Sequence, residues 1–289
     1  MGKPKLRRLK KSALTFLVVY GAVAMILAGC ADRLILFPSR EAIGVPGGKR
    51  VEVPEPQGMV EVWTMRSPGA ASHEPEAFVL EFVGNASRAE WSVPMTAEAW
   101  GQRPVEVWSV NYPGYGGSAG GAKLKSISPA ALAVFDALKA RAGGRPIFLS
   151  GHSIGTAAAL SVAARRPVSG LVLINPPPLR QLIIGAYGWW NLWLAAAPVS
   201  LQIPEDLDSM KNAGNVKAPA VFILGDLDTV VPPAYHMKVV NAFAGEKQLI
   251  HIPDGGHNDA IPSGPLARQH DNSMDWLWSK AAASSPSPF

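Results

Sequence analysis

The feature that most constrains this chain is the pentad Gly151-His152-Ser153-Ile154-Gly155, set between the apolar run Ile147-Phe148-Leu149-Ser150 and an alanine-rich stretch from Ile154 to Arg166. In a Gly-x-Ser-x-Gly turn the serine sits in a strained backbone conformation, and small residues two positions either side let strand and helix approach closely. The pentad therefore predicts a strand that ends in a sharp turn and passes directly into a helix. It makes Ser153 the candidate nucleophile, with Gly151, His152 and Gly155 shaping the turn. The competing role for Ser153 is that of a helix cap, which would leave the rest of the pattern unexplained.

Around this turn, short apolar runs without alternation are separated by helical lengths. Val51–Val53 and Val60–Met65 read as an opening hairpin. Strands follow at Ala77–Val83, Val105–Val110, Pro146–Ser150, Gly170–Asn175, Ala220–Leu224 and Gln248–Ile252. Helices are expected at Ala89–Gly101, Ala130–Ala142, Ile154–Arg166, Ala234–Ala244 and Ala267–Ala282, the first broken early by Pro94. Buried strands alternating with helices indicate a doubly wound, mostly parallel α/β sheet. With 289 residues, 48% of them apolar, one domain over residues 50–282 can bury a full core. Residues 30–49 read as a linker, and the Ser/Pro-rich tail 283–289 as disordered. The stretch 176–218 interrupts the alternation with Trp189, Trp190 and Trp193. It reads either as a helix packed on the core or as a short cap whose aromatics line a substrate pocket.

A hydroxyl becomes nucleophilic only when a base takes its proton, and the oxyanion that follows needs hydrogen-bond donors. In strand–turn–helix sites of this kind the partners follow in the order serine, acid, histidine. The acid is expected in Gly225-Asp226-Leu227-Asp228-Thr229-Val230-Val231-Pro232, at the carboxyl end of a core strand. Asp228 is preferred to Asp226. The base is expected at His257, in the glycine-bearing loop Asp254-Gly255-Gly256-His257. His251 reads as a strand residue, His236 falls in a helical run, and His73 and His270 belong to no motif. The oxyanion donors are expected to be the amides of Ile154 and Asn85, with Ala86 as alternative to the latter.

With these residues assembled, residues 50–280 resemble the α/β-hydrolase superfamily, and within it the Bem46-like and ABHD13/ABHD17-like serine hydrolases. The resemblance rests on Gly84-Asn85-Ala86, on Asn111-Tyr112-Pro113-Gly114-Tyr115-Gly116-Gly117-Ser118, and on the pentad, acid loop and Gly-His motif in that order. It implies the α/β-hydrolase fold and serine hydrolysis, and leaves the substrate open. Val83 stands where the family usually carries histidine, and Asn111 where it carries an acidic residue.

The formal charge of +5 resides in the leader: Lys3, Lys5, Arg7, Arg8, Lys10 and Lys11 precede any acidic residue, and the rest is close to neutral. A nucleic-acid partner, which needs a basic stripe on the folded domain, is therefore not expected. The basic start and the apolar run Ala13–Gly29 read as a signal or anchor over residues 1–29. Leu27-Ala28-Gly29-Cys30 resembles a bacterial lipobox, which makes Cys30, the single cysteine, the lipidation site. The expected location is the cell envelope, with the outer membrane preferred. An uncleaved helix in the inner membrane is the alternative.

No His/Cys ligand cluster, His-Glu-x-x-His or phosphate-cradling glycine loop is present, so neither a metal nor an organic cofactor is implied. The functions weighed are hydrolysis of a small-molecule or lipid ester or thioester, a peptidase or amidase of the same fold, and a non-catalytic envelope binding protein. The oligomeric state is not legible.

Overall fold

The computed structural model describes residues 3–189, 193, 196–259 and 262–284. Eight strands form one sheet: β1 (Lys49–Glu55), β2 (Gly58–Arg66), β3 (Ala77–Phe82), β4 (Val105–Val110), β5 (Ile147–His152), β6 (Gly170–Ile174), β7 (Ala220–Gly225) and β8 (Lys247–Ile252). Their order is β1-β2-β4-β3-β5-β6-β7-β8. β1 and β2 are the expected hairpin, β2 pairs antiparallel with β4, and β4 through β8 are parallel.

Helices cover both faces, which is why the central strands are apolar throughout. On one face lie α3 (Ala89–Ala99) and α10 (Pro265–Ser284), packing Val93, Ala97, Met274 and Leu277 on the sheet. On the other lie α4 (Leu124–Ala142), α5 (Ile154–Ala163) and α9 (Pro233–Ala242). β3 shows the partition: Phe78, Leu80 and Phe82 face α4 and α5, while Ala77 and Val79 face α3 and α10. Each large apolar side chain buried this way contributes about 1.5–3 kcal/mol. Glu81 falls on the α3/α10 side, a carboxyl at an otherwise apolar position. In α5, Ala157, Ala158 and Ala159 are fully buried, so the helix rests close against the sheet below Ser153.

The structure corrects the sequence expectation in three places. Residues 30–49 are not a linker. The short helix α2 (Ala31–Ile35) follows the N-terminal helix α1 (Lys3–Gly29), Ala31 and Leu36 are buried, and the chain beyond is tied to the domain. Leu124 N donates to Asp32 Oδ1 (2.8 Å), Gly116 N to Ser39 O (2.8 Å), and the buried Arg88 guanidinium to Glu41 O (2.9 Å). The Pro and Gly content that suggests a linker instead permits an extended path over the surface.

The second correction is α4, which starts at Leu124 and carries Pro129 inside it. A proline removes one helical hydrogen bond, but the Asp32 carboxylate on the Leu124 amide fixes an earlier start. The third concerns the C-terminus, where α10 continues through Ser284, with 285–289 outside the described residues. Within α1, Arg7–Ile26 is long and apolar enough to cross a membrane by length and composition, with mean hydropathy 1.5 and no fully buried residue. Between β6 and β7 the chain forms α6 (Leu179–Tyr187), α7 (Ala196–Ser200) and α8 (Ser209–Ala213).

Candidate active site

β5 ends in a turn at Ser153, whose φ of 53° and ψ of −124° lie where L-residues are strained. Two close approaches make the turn possible. A Cβ on Gly155 would stand 2.0 Å from Phe82 O, and one on Gly151 would stand 2.7 Å from Gly155 O. Glycine is required at both positions.

His257 lies in the loop after β8 and Asp228 in the loop after β7. The carboxylate can only accept, so His257 Nδ1–H donates to Asp228 Oδ2 at 2.7 Å. This tautomer leaves Nε2 to accept from Ser153 Oγ at 2.9 Å. Asp228 Oδ1 accepts from the amides of Val230 and Val231, both at 2.8 Å. Burial opposes ionisation of this carboxyl, but the hydrogen bonds from His236, His257 and the Val231 amide outweigh it and hold it well below the usual carboxylate range. Asp226, the alternative acid, instead meets His251 at the surface (2.9 Å).

Sequence reasoning missed two residues of this cluster. His236, fully buried on α9, donates from Nε2 to Asp228 Oδ2 at 3.1 Å, and its Nδ1 has no partner among the described residues. Asn175, at the end of β6 with φ 49°, binds His257 O (2.9 Å) and Gly256 O (3.3 Å) through Nδ2 and accepts from Gly225 N (2.8 Å). It thereby ties the acid strand to the histidine loop. His152 joins it: its Nε2 donates to His257 O (2.8 Å), and the two rings lie 5.1 Å apart. Burial lowers the His152 pKa, which keeps the ring neutral. His73 and His270 take no part in the chain of bonds around Ser153.

The Ile154 amide opens α5, where the first N–H groups have no intrahelical acceptor. The Asn85 amide has no protein acceptor among the described residues, whereas the Ala86 amide is taken by Asn85 Oδ1 (3.0 Å). Asn85 is itself fixed, its side chain bonding Ile35 O, Phe37 N (3.1 Å) and Tyr115 OH (3.0 Å). Tyr112 OH donates to Val83 O (2.9 Å), so a tyrosine braces the loop where Val83 replaces histidine.

Ser153 and His257 open into a cavity of about 1080 Å³. Leu34, Ile35 and Phe37 form one wall and Leu179, Leu182 and Ile183 another. The tryptophans do not take the place expected of them. Trp189 is 67% exposed, Trp193 is held outward by its Nε1 bond to Ile184 O (3.1 Å), and neither lines the cavity. Trp190 lies outside the described residues. Tyr187 closes this side, its hydroxyl bonded to Val230 O (2.9 Å). No group of three or more His, Cys, Asp or Glu suited to a metal occurs among the described residues.

Comparison with known proteins agrees with the fold. The family model described as serine aminopeptidase, S33, matches residues 73–211. An uncharacterised protein of Mycobacterium tuberculosis is 28% identical over 272 residues, spanning 90% of this chain and 91% of its own. The lysophosphatidylserine lipase ABHD12 of Rattus norvegicus is 36% identical over 159 residues, 50% of this chain and 39% of that protein. Among solved structures, an esterase of Pyrococcus furiosus superposes with a TM-score of 0.64 at 17% identity, covering 85% of this chain and 97% of its own. An acylaminoacyl peptidase of Pyrococcus horikoshii superposes with a TM-score of 0.60 at 13% identity, covering 81% and 41%. The sheet, the helices on both its faces and these similarities together give the chain the α/β-hydrolase fold.

Proposed function

We propose that this chain is a membrane-tethered serine hydrolase that cleaves carboxylic esters or thioesters through an acyl-enzyme. The observation that carries the proposal is the unbroken run of bonds from Ser153 Oγ through His257 to Asp228, at 2.9 and 2.7 Å. Ser153 Oγ attacks the acyl carbon as His257 Nε2 takes its proton. The amides of Asn85 and Ile154 receive the oxyanion. The bond to the leaving oxygen or sulfur then breaks as His257 returns the proton, and water repeats the sequence to release the acid. Asp228 holds the imidazole in the required tautomer. The largely apolar cavity beside Ser153 supports an acyl substrate.

Tethering is proposed through α1, either as an uncleaved anchor or as a leader removed before a lipidated Cys30. The bacterial envelope, and preferentially the outer membrane, is the location that goes with lipidation. The likeness to Bem46-like and ABHD13/ABHD17-like hydrolases belongs to the same reading. A peptidase or amidase is the second reading, favoured by the description of the matching family model.

An alkyl phosphonate probe and a series of esters and amides of matched acyl length test the proposal. The expected result is one label on Ser153, ester turnover well above amide turnover, and a loss of at least about a thousandfold in Ser153→Ala. An unlabelled wild type, or undiminished turnover in Ser153→Ala, overturns it. Faster amide than ester turnover favours the second reading.

A further inference from the structure

Leu34, Phe37, Trp91, Met95, Tyr187 and Val230 all line the cavity over Ser153, and each is between 43% and 60% exposed. A side chain that does both sits at the mouth. These come from separate parts of the chain: α2 and the segment after it, α3, α6 and the acid loop. Single exposed apolar residues need no explanation, but a ring of them around one opening marks an interaction surface. Among the described residues lining the cavity there is no lysine, arginine or aspartate, and its one glutamate, Glu81, is buried. The opposite edge of the sheet differs, with Lys217 and Glu246 exposed just ahead of β7 and β8.

What covers this ring is indicated by α1. Its stretch Arg7–Ile26 has 20 residues, about 30 Å of helix, which is the thickness of a bilayer's hydrocarbon core. No flexible linker separates it from the domain. Cys30 N donates to Ile26 O and Leu34 N to Cys30 O, both at 3.1 Å, so helical bonding passes from α1 into α2. α2 is fixed in turn by the buried Ala31 and by the bond from Leu124 N to Asp32. Leu34 therefore stands within about 12 Å of the end of the apolar stretch. α1 also meets α7, whose Ala196 and Val199 line the cavity. The helix suited to a bilayer thus joins the domain at the rim of its cavity, and a lipid on Cys30 would enter at the same place. Two further exposed rings stand beside this rim: Trp189, just after Tyr187, and Trp193, whose carbonyl accepts from Ala197 N of α7. Tryptophan and tyrosine gather at membrane–water interfaces.

Resting on the hydrolase and tethering readings above, we propose that the mouth of the cavity docks on the bilayer that holds α1, and that the ester reaching Ser153 is a lipid drawn from that leaflet. Its acyl chain then passes from hydrocarbon into an apolar cavity without crossing water. Docking at the same time covers the exposed ring.

The test reconstitutes the full chain in phosphatidylcholine vesicles, with and without bromine on the acyl chains, and follows tryptophan emission. Bromine is expected to quench the wild type, and to quench Trp91→Phe less. A second arm measures turnover of methylumbelliferyl oleate in the vesicles and in detergent. The vesicle-to-detergent ratio is expected to fall at least about tenfold in Met95→Glu, since a charge set against hydrocarbon is costly. It is expected to stay unmoved in Lys217→Glu at the opposite edge. Equal quenching in Trp91→Phe and wild type overturns the docking, and a chain found dimeric in detergent then puts a second copy over the mouth. Turnover that falls alike in vesicles and detergent makes Met95 part of the acyl path alone and also overturns it. If Met95→Glu fails to fold, the quenching arm decides. A chain that does not float with the vesicles removes the tether and the docking together while leaving the nucleophile standing. A wild type with no phosphonate label and no turnover in detergent removes the hydrolase reading, and the docking then stands or falls on the quenching.

Discussion

His236 Nε2 lies 3.1 Å from Asp228 Oδ2, the same carboxylate oxygen that His257 Nδ1 meets at 2.7 Å. One oxygen thus joins two imidazoles, one at the cavity and one sealed beneath α9. With the Val230 and Val231 amides on Oδ1, His236 fixes the carboxylate plane and so the direction in which His257 is held. It does not line the cavity. A hydrogen bond to a charged group contributes about 1.5–3 kcal/mol, and loss of the smaller value in the transition state alone slows the reaction about tenfold. His236→Ala is expected to lower kcat about tenfold with KM nearly unchanged, and His236→Gln, which keeps a donor, to recover part of it. Steady-state kinetics beside thermal melts make the check. A lower melting temperature with kcat intact would leave His236 a packing residue only.

Acid sensitivity has a named source in two other histidines. His152 and His270 both have pKa values lowered by burial, the former inside the site and the latter on α10. The unfolded chain therefore takes up protons that the folded chain refuses. Their contribution to stability is complete above the unfolded value of about 6.5 and is lost as the pH falls from there through the folded values. Denaturant melts between pH 7 and 5 are expected to show this decline, and a flatter profile for His152→Asn combined with His270→Gln. Asp228 acts at lower pH: its depressed value keeps its stabilisation in place until the pH drops below the unfolded value of about 3.9.

Gly155 offers a steric test of the turn. An alanine Cβ there would meet Phe82 O at 2.0 Å and Val83 O at 2.8 Å, both backbone atoms of the strand that leads to Asn85. Relief requires α5 and β3 to separate, which moves Ser153 away from the Asn85 amide. Gly155→Ala is expected to cost about 3 kcal/mol and to remove most turnover. Gly121→Ala, where a Cβ meets nothing within 4 Å, is the control and is expected to be tolerated. Equal activity and stability in the two variants would contradict the close packing described for the turn.

What the sequence reveals and what it hides follow from the range of the interactions. The strand–turn–helix at Ser153 is written in neighbouring residues, and so are the loops that carry Asp228 and His257. The choice of Asp228 over Asp226 is legible because two residues of spacing turn one carboxylate toward the site and the other toward His251. His236 is hidden because a histidine in a helical run looks the same whether it faces solvent or a carboxylate on the preceding loop. Asn175 is hidden because its three partners come from β7 and the histidine loop. Trp189 and Trp193 mislead for a related reason: composition marks 176–218 as apolar without saying which face turns inward, and the inward face belongs to Leu179, Leu182 and Ile183.

The segment after Cys30 yields the remaining prediction. Asp32 caps the first turn of α4, Leu36 is buried, and Ser39 and Glu41 supply carbonyls to Arg88. Leu34, Ile35 and Phe37 are also cavity wall. α1, by contrast, has no fully buried residue in its apolar stretch and meets the rest of the domain only at the short helices α2 and α7 among its main contacts. A chain beginning at Cys30 is therefore expected to fold with a melting temperature within a few degrees of the full chain in detergent, and to keep its ester turnover. A chain beginning at Ala42 loses a buried leucine, at about 1.5–3 kcal/mol, and a helix cap, at about 1 kcal/mol. For a domain of this size that lowers the melting temperature by about 10 °C. It also removes one wall of the cavity beside Ser153, so on the proposed function turnover of long-chain esters should fall more than that of acetate esters. Calorimetry and a chain-length series on the two truncations make the comparison. If both truncations melt alike, residues 31–41 are a tether after all, and the cavity wall they form contributes nothing to the fold.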